Sequence, residues 1–596
     1  MINNPVSAEP ATSTYCLWKF NPRASNLIRS IVYLLLVFTA ALPLHPQEVS
    51  LSSGHYHRIV AGGGELEIAV SGDGKNVVIA VNGVVALDIP PTRSRLFRSG
   101  NGGADALVAV TEPNIPHNMR NSRDPSVTWT GVGKFYFATM GPSTNARVAS
   151  STDEGATFHP TTTSTASDHI AALCAGTKCN SDQPHMAGDR RPGHDQLYIV
   201  WRNSASSGGF FSQIGCSTDG GVTWKAQIVE ANLPAASRKG DYPRLTVGPD
   251  GFVYVIMATS RTDGDLLLQR YSPCSDGLKP FWKTANGVSA PSKIGHFQGV
   301  RCVPGNTIAG LDRCNTGNIM ASPTVAVSQE DPKHVFVTFA DESSPSNHDV
   351  ILLSVDDVTS LARNAPFPHR VLVNEVDSGE RYFPWSCAAD GRIYAGWYDR
   401  RNKTAAHNDN TEYFVADNLA HEVEVSHAVD PQCDSGWPSG GSSREAEACS
   451  HQPQFAGFCL PCAAGSQVSG TCTATPSPTT PRCDYSSGAC PSGTACVHPA
   501  SDRGSGRYGD YVGIACANQS AYVAWASAKH PSDLPNTAGL NVYFARIDPV
   551  LRPPEPAACK ACRDERNSCL QDAQHSSEIH ACVGEYTHCR RINNCH

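Results

Sequence analysis

Charge is scarce in this 596-residue chain: Asp, Glu, Lys and Arg together make up 17%, and the formal net charge is only −8. The basic residues form no long run, which argues against nucleic acid as a partner. Long apolar runs are scarce too. The one at residues 31–42, IVYLLLVFTAAL, is shorter than the ~20 residues of a membrane-spanning helix. Arg23 and Arg29 precede it, as in a secretory signal with a long front end, so residues 1–47 read as an export segment. The mature chain is then expected to carry no stable membrane span; an uncleaved N-terminal anchor is the alternative. No cysteine closely follows the run, so lipid attachment there is not expected. Paired CxxC motifs at zinc-finger spacing are also missing: Cys459/Cys462 and Cys559/Cys562 each lack a matching second pair. No metal and no cofactor are expected.

What is abundant is glycine (50), proline (42) and cysteine (23). Turn-rich β structure fits that composition better than helical bundles. One cysteine, Cys16, precedes the apolar run and leaves with it, so an even number remains for disulfides in an oxidising compartment. A secreted protein, extracellular or periplasmic, is expected.

An internal period organises the middle of the chain. STDGGVTW (residues 217–224) has a near copy in STDEGATF (151–158), and looser copies centre on Asn101, Asp276, Asp356, Asp417 and Asp548. Upstream of each lies a second marker: Pro125, Pro184, Pro243, Pro323 and Pro384 in RDPSV, DQPHM, DYPRL, ASPTV and YFPWS. Glu67 and Tyr511 hold the equivalent places without a proline. Marker and box are 28 residues apart in one unit and 33 to 37 in the others. Between them sits a strongly apolar strand each time, such as KFYFATMG, LYIVWRN or RIYAGWYD, rich in β-branched and aromatic residues. Units of about 60 residues, each with four strands' worth of chain, stack around an axis as a β-propeller. Proline at the marker suits the first residue of an inner strand, where no ladder N–H is needed. Seven markers predict seven blades, with six as the alternative. The last unit runs into PVLRPPEPAA, which cannot form an outer strand, so HYHRIVA (55–61) is expected to supply it and close the ring.

The S-x-D-x-G-x-T-W/F pattern resembles the Asp-box, or BNR repeat, of sialidases and related propellers. Two copies match well and five are degenerate, over residues 64–430 and 506–549. The resemblance implies that the box is a rim turn between the two outer strands of a blade, away from the substrate face. The residue types agree with a structural role: Asp accepts N–H groups of its own turn, Gly supplies positive φ, and the aromatic packs into the blade.

Two appendages break the period. Residues 431–505 carry eight cysteines and the stretch TATPSPTTP, reading as a disulfide-stapled insert between blades 1–6 (55–430) and the last blade (506–550). Residues 557–596 read as two short helices. Cys562 and Cys569 lie seven apart, as do Cys582 and Cys589, so an antiparallel hairpin would match Cys562 with Cys589 and Cys569 with Cys582, leaving Cys559 for Cys595.

Propellers place functional groups where the inner strands begin, around the central channel, but fold alone does not assign chemistry. The residues beside the markers are polar: Arg123, Asp124, Asp182, His185, Asp241, Arg244, Glu380, Arg381, Tyr382, Arg507, Tyr508 and Asp510. Sialidase-type chemistry, which the resemblance implies, uses three arginines to clamp a carboxylate, an aspartate acid/base, and a tyrosine nucleophile activated by a glutamate. Arg123, Arg244 and Arg381 are candidates for the clamp. Asp124, Glu380, Tyr382 and Tyr508 are candidates for catalysis, with Asp182, Asp241 and Asp510 as further substrate contacts. The chain departs from the family in having no Arg-Ile-Pro-like motif at its first strand; HRIVAG near Arg58 is a poor substitute. A plainer account is that Asp and Arg at strand starts pair with each other. The readings are therefore a propeller that acts on or binds glycans, or a non-catalytic adhesion or scaffold module. Nothing in the sequence specifies an oligomeric state.

Overall fold

The computed structural model describes the chain from Val49 onward apart from loop stretches, the longest being 300–320, 426–455, 461–481, 498–511, 528–540 and 573–587. Residues 1–48, the expected export segment, lie outside the described residues. Val49–Val550 with Glu555–His596 form one compact unit.

Seven four-stranded antiparallel sheets make a seven-bladed β-propeller. In six blades the strands follow chain order outward from the channel. Their inner strands are Gly64–Val70, Arg123–Trp129, Cys179–Gly188, Asp241–Val247, Thr324–Val327 and Arg381–Ala389. The seventh blade is mixed. Gly513–Ala517, Ser520–Ser527 and Asn541–Leu551 are completed on the outside by Val49–Ile59, so the chain closes its own ring.

Second strands such as Phe135–Met140 and Val253–Ala258 are buried at every position, because neighbouring blades cover both faces. That is why they read as unbroken apolar runs instead of alternating ones. The core is accordingly divided into interblade clusters. Val78, Ala80 and Leu96 of the first blade pack on Phe135, Phe137 and Phe158 of the second. Tyr382, Tyr398 and Tyr413 of the sixth pack with Trp525 and Tyr543 of the seventh.

In five blades the marker proves to be a bulge within the inner strand, not the strand's first residue; in the fifth blade Pro323 directly precedes the strand. Register shifts occur between Gly64 and Leu66, Arg123 and Ser126, Asp182 and His185, Asp241 and Arg244, and Tyr382 and Trp385. At each one residue takes positive φ: Glu65, Asp124, Gln183, Tyr242 and Phe383. Proline follows that residue in the last four, where a bulge leaves no ladder bond for its missing N–H to forfeit. This alignment moves Glu67 one place: Leu66 stands where the prolines stand, and Glu67 follows it.

The S-x-D turn makes the hydrogen bonds its residue types suggest. Asp219 Oδ1 accepts the N–H groups of Val222 (3.1 Å) and Thr223 (2.9 Å), and Oδ2 accepts the Thr223 hydroxyl at 2.6 Å. Ser217 Oγ donates to Asp219 and accepts from Gly221 N–H. Ser151, Asp153 and Thr157 repeat the pattern, and Ser99 with Asn101 keeps part of it. In the fifth blade the turn is made by Asp357, not Asp356: Asp357 Oδ1 accepts the Thr359 N–H at 2.9 Å.

Disulfides join neighbouring blades. Cys216 on the third is bonded to Cys274, just after the third strand of the fourth, and Cys387 to Cys516 across the inner strands of the sixth and seventh. In the insert, Ala456–Leu460, Arg482–Asp484 and Ala495–Val497 form a three-stranded sheet. The C-terminal helix Ala557–Asp572 lies against the outer strand of the fifth blade, and Cys562 is bonded to Cys589 as the spacing predicts. Cys569 and Cys559 are also disulfide-bonded; the expected partners Cys582 and Cys595 lie outside the described residues.

Candidate functional site

The bulges decide which side chains reach the channel. The residue after each marker proline, or after Leu66 and Val512 in the blades without one, stands at the channel, giving one position per blade. Glu67, His185, Arg244, Thr324, Trp385 and, by its backbone, Gly513 line a channel cavity of about 150 Å³. Ser126, from the second blade, is turned onto Glu67.

An innermost strand exposes a row of N–H groups to the channel, and this ring covers several of them. Glu67 Oε2 accepts the Val127 N–H at 3.3 Å, Ser126 Oγ the Met186 N–H at 2.8 Å, and His185 Nδ1 the Leu245 N–H at 3.2 Å. From the first blade to the fourth these bonds run in a single direction, each side chain serving the strand of the next blade. At Gly513 a Cβ would sit 2.9 Å from Ile68 N and 3.0 Å from Glu67 Cα, so the seventh strand packs against the first only as glycine.

Glu67, 4% exposed, is the acid of the cluster. Burial pushes its carboxyl up to about 8, against the opposing effects of the Ser126 hydroxyl, Arg244 and the Val127 N–H. It therefore holds a proton at neutral pH. Burial, with help from Arg244, holds the His185 imidazole well below its ordinary value, so it is neutral. Because Nδ1 accepts a hydrogen bond, the ring proton of His185 is on Nε2, which faces Glu67 Oε1 at 3.9 Å. Arg244, 3% exposed, lays its guanidinium over Trp385 at 4.9 Å and donates to the Pro243 carbonyl at 2.9 Å. The His185 ring meets the same indole at 5.3 Å. The cluster thus presents one permanent positive charge beside two groups that are neutral at pH 7.

At the far end of the same strands, Arg190 donates to the carbonyls of Cys516 (2.7 Å) and Val70 (3.2 Å), tying the third blade to the seventh and first. Burial lowers it to about 10.

Of the residues predicted from sequence, Arg244 lines the cavity. Arg381 does not join it. It is fully buried between blades, bonded through Nε to Asp399 at 2.8 Å and through Nη2 to the Val376 carbonyl at 2.7 Å. Tyr382 is buried in the aromatic core, stacked on Tyr398 with ring centres 5.3 Å apart. Glu380 is buried 3.6 Å from Arg400. Asp182 and Asp241 share Arg202, and Asp241 also accepts from Arg261 Nε at 3.0 Å. Asp124 accepts the Gln183 N–H at 3.4 Å. Tyr508, Asp510 and the side chain of Arg123 lie outside the described residues. Sequence reasoning noted His185 without assigning it a role, took Glu67 for a worn marker, and missed Trp385 and Arg190. The place immediately after each marker proline, compared across units, is the signal that groups His185, Arg244 and Trp385. Among the described residues no helix is long and apolar enough to cross a membrane, and no cluster of three His, Cys, Asp or Glu is arranged for a metal ion.

No protein-family model and no curated protein matches the chain. Solved structures similar to it include a protein of unknown function from Dyadobacter fermentans, at 14% identity over 59% of this chain and 95% of that one, TM-score 0.36. The subtype N11 neuraminidase-like protein of influenza A/flat-faced bat/Peru (H18N11) matches at 8% identity over 62% of this chain and 94% of its own, TM-score 0.36. The sialidase of Trypanosoma rangeli matches at 11% identity over 62% and 59%, TM-score 0.36.

Proposed function

We propose that the protein is a secreted, sialidase-like propeller that binds an acidic glycan at its central channel, as a binding module rather than a glycosidase. The observation that carries this reading is Arg244, buried in the channel with its guanidinium over the Trp385 ring, beside a proton-bearing Glu67. A guanidinium placed so, in a low-dielectric cleft, favours a carboxylate ligand. The other described arginines of the expected clamp region serve structure: Arg381 answers Asp399, and Arg202 answers Asp182 and Asp241. Tyr382, packed in the core, is in no position to attack a sugar.

The hydrogen-bonded turns at Asp153 and Asp219 support placing the chain among the Asp-box propellers. Interblade disulfides support an oxidising, extracellular or periplasmic location. The same reading keeps residues 1–47 as the export segment, 55–430 and 506–550 as propeller, 431–505 as a Cys-rich insert and 557–596 as a stapled helical hairpin. A glycan array carrying acidic and neutral sugars, run beside turnover assays on sialosides and aryl-glycosides, tests it. Acidic glycans retained without turnover are the expected result. Hydrolysis abolished by Arg244→Lys would restore the glycosidase reading, and silence in both assays would leave a scaffold.

A further inference from the structure

The channel cluster carries more information than the charge of Arg244. Both hydrogen bonds to Glu67 fall on Oε2, from the Ser126 hydroxyl and the Val127 N–H. That oxygen is therefore the acceptor half of the carboxyl, and the proton belongs on Oε1. Oε1 faces His185 Nε2 at 3.9 Å, too far for a direct hydrogen bond. Nε2 carries the imidazole proton, because Nδ1 is committed to Leu245 N–H. So an O–H and an N–H from two different blades converge on one point of the cavity, with the Arg244 guanidinium in the same cavity. An oxygen bearing negative charge is what such a set of donors accepts.

We propose that Glu67, His185 and Arg244 make a carboxylate cradle, with Glu67 as the residue that decides whether an anionic sugar is admitted. This rests on the channel being a glycan site, and it names the ligand class: sugars presenting a carboxylate. The charged and titratable groups facing Glu67 are His185 from the third blade and Arg244 from the fourth; the second and seventh blades present Ser126, the Val127 N–H and Gly513. On its own strand, Glu65 is engaged with Asn82 of the neighbouring strand. When Glu67 loses its proton, the cradle gains a negative charge beside Arg244 and exchanges a donor for an acceptor. Both changes oppose an anion.

The test pairs titration calorimetry with a readout that needs no ligand. N-acetylneuraminate and glucuronate, each beside its methyl ester, are titrated into the full chain from pH 6 to pH 9. The free acids should bind about ten- to a hundredfold more tightly than the esters. Their affinity should hold level to near pH 8 and then fall about tenfold per pH unit. Glu67→Gln, which keeps the acceptor at Oε2 and a donor at Oε1, should flatten that fall. Separately, the carboxylic-acid stretch of Glu67, taken as an infrared difference between wild type and Glu67→Gln, should be strong at pH 7 and reduced to about a tenth at pH 9. Absence of the acid band at pH 7 while the sugars still bind would overturn the cradle and leave the glycan site standing. A fall with pH that persists in Glu67→Gln would overturn it equally. Acid band present but neither sugar bound would sink the glycan site and the cradle together.

Discussion

Replacing Glu67 by Gln should make the folded protein more stable, by an amount set by pH. In the unfolded chain the carboxyl ionises around its ordinary value of 4.5, while in the folded channel burial raises it to about 8. Because the folded value is raised, the stability this group contributes is complete below 4.5 and is lost as pH climbs through the interval to 8. At pH 7 the unfolded state has given up its proton and the folded state has not, a difference of about 3 kcal/mol against folding. Above pH 8 the deficit levels off at about 5 kcal/mol. Gln does not titrate and reproduces the hydrogen bonds of the acid form, so it escapes the deficit. Titration of His185 occurs in both proteins and cancels in the comparison. For a propeller of this size, with the melting entropy of globular chains, the gain at pH 7 amounts to roughly 3 °C in Tm. Differential scanning fluorimetry on the two proteins at pH 4, 7 and 8.5 measures it. The gap should be near zero at pH 4 and widest at pH 8.5. A constant gap, or a variant less stable at pH 7 than at pH 4 relative to wild type, would refute a buried neutral Glu67.

Other expectations concern the frame around the site. Cys387→Ser with Cys516→Ser opens a bridge spanning 129 residues of sequence, which the loop-entropy relation equates to about 5 kcal/mol; urea unfolding should register a loss of that order, and an unchanged midpoint would discount the bridge. Asp219→Ala removes the acceptor of Val222, Thr223 and the Thr223 hydroxyl and should cost ~1–3 kcal/mol, with glycan affinity of the folded protein unaltered; lost binding in a folded variant would overturn the structural role of that turn. Arg381→Ala leaves Asp399 buried with Arg401 as its remaining guanidinium partner and should destabilise by ~3–5 kcal/mol, whereas an Arg381 that served substrate would show itself first in binding. Arg244→Lys keeps the charge but not the forked guanidinium over Trp385, so acidic-glycan affinity should drop by more than stability does.

The ring itself was legible in the sequence because two local requirements recur together about every 60 residues. A bulge that tolerates Pro sits on the first strand of a unit, and a turn that needs Ser, Asp and Gly follows its third strand. The closing strand could be anticipated because PVLRPP cannot pair outward. The site was less legible, for a reason visible at the bulges. Arg381 and Arg244 both stand beside a marker proline, one three places before it and the other one place after. The bulge breaks the alternation of faces between those places, sending Arg381 between blades and Arg244 into the channel. Composition at a marker does not reveal that switch. Glu67 was hidden differently: without a proline in its unit, the frame could be set one residue off, and only the positive φ of Glu65 corrects it.

The closure by Val49–Ile59 bears on how the protein is made. Its partner strand, Asn541–Leu551, is among the last parts of the propeller to leave the ribosome. At ordinary synthesis rates of about 5–20 residues per second, the first strand waits on the order of half a minute or more with its hydrogen-bonding edge unanswered. An unpaired edge is an invitation to join another chain, and the hazard lasts through any passage to the compartment where the disulfides form. A chain cut short anywhere before Asn541 has no means of sealing itself, so truncated products should pair with one another or be cleared, whereas the complete chain shuts in a single late event.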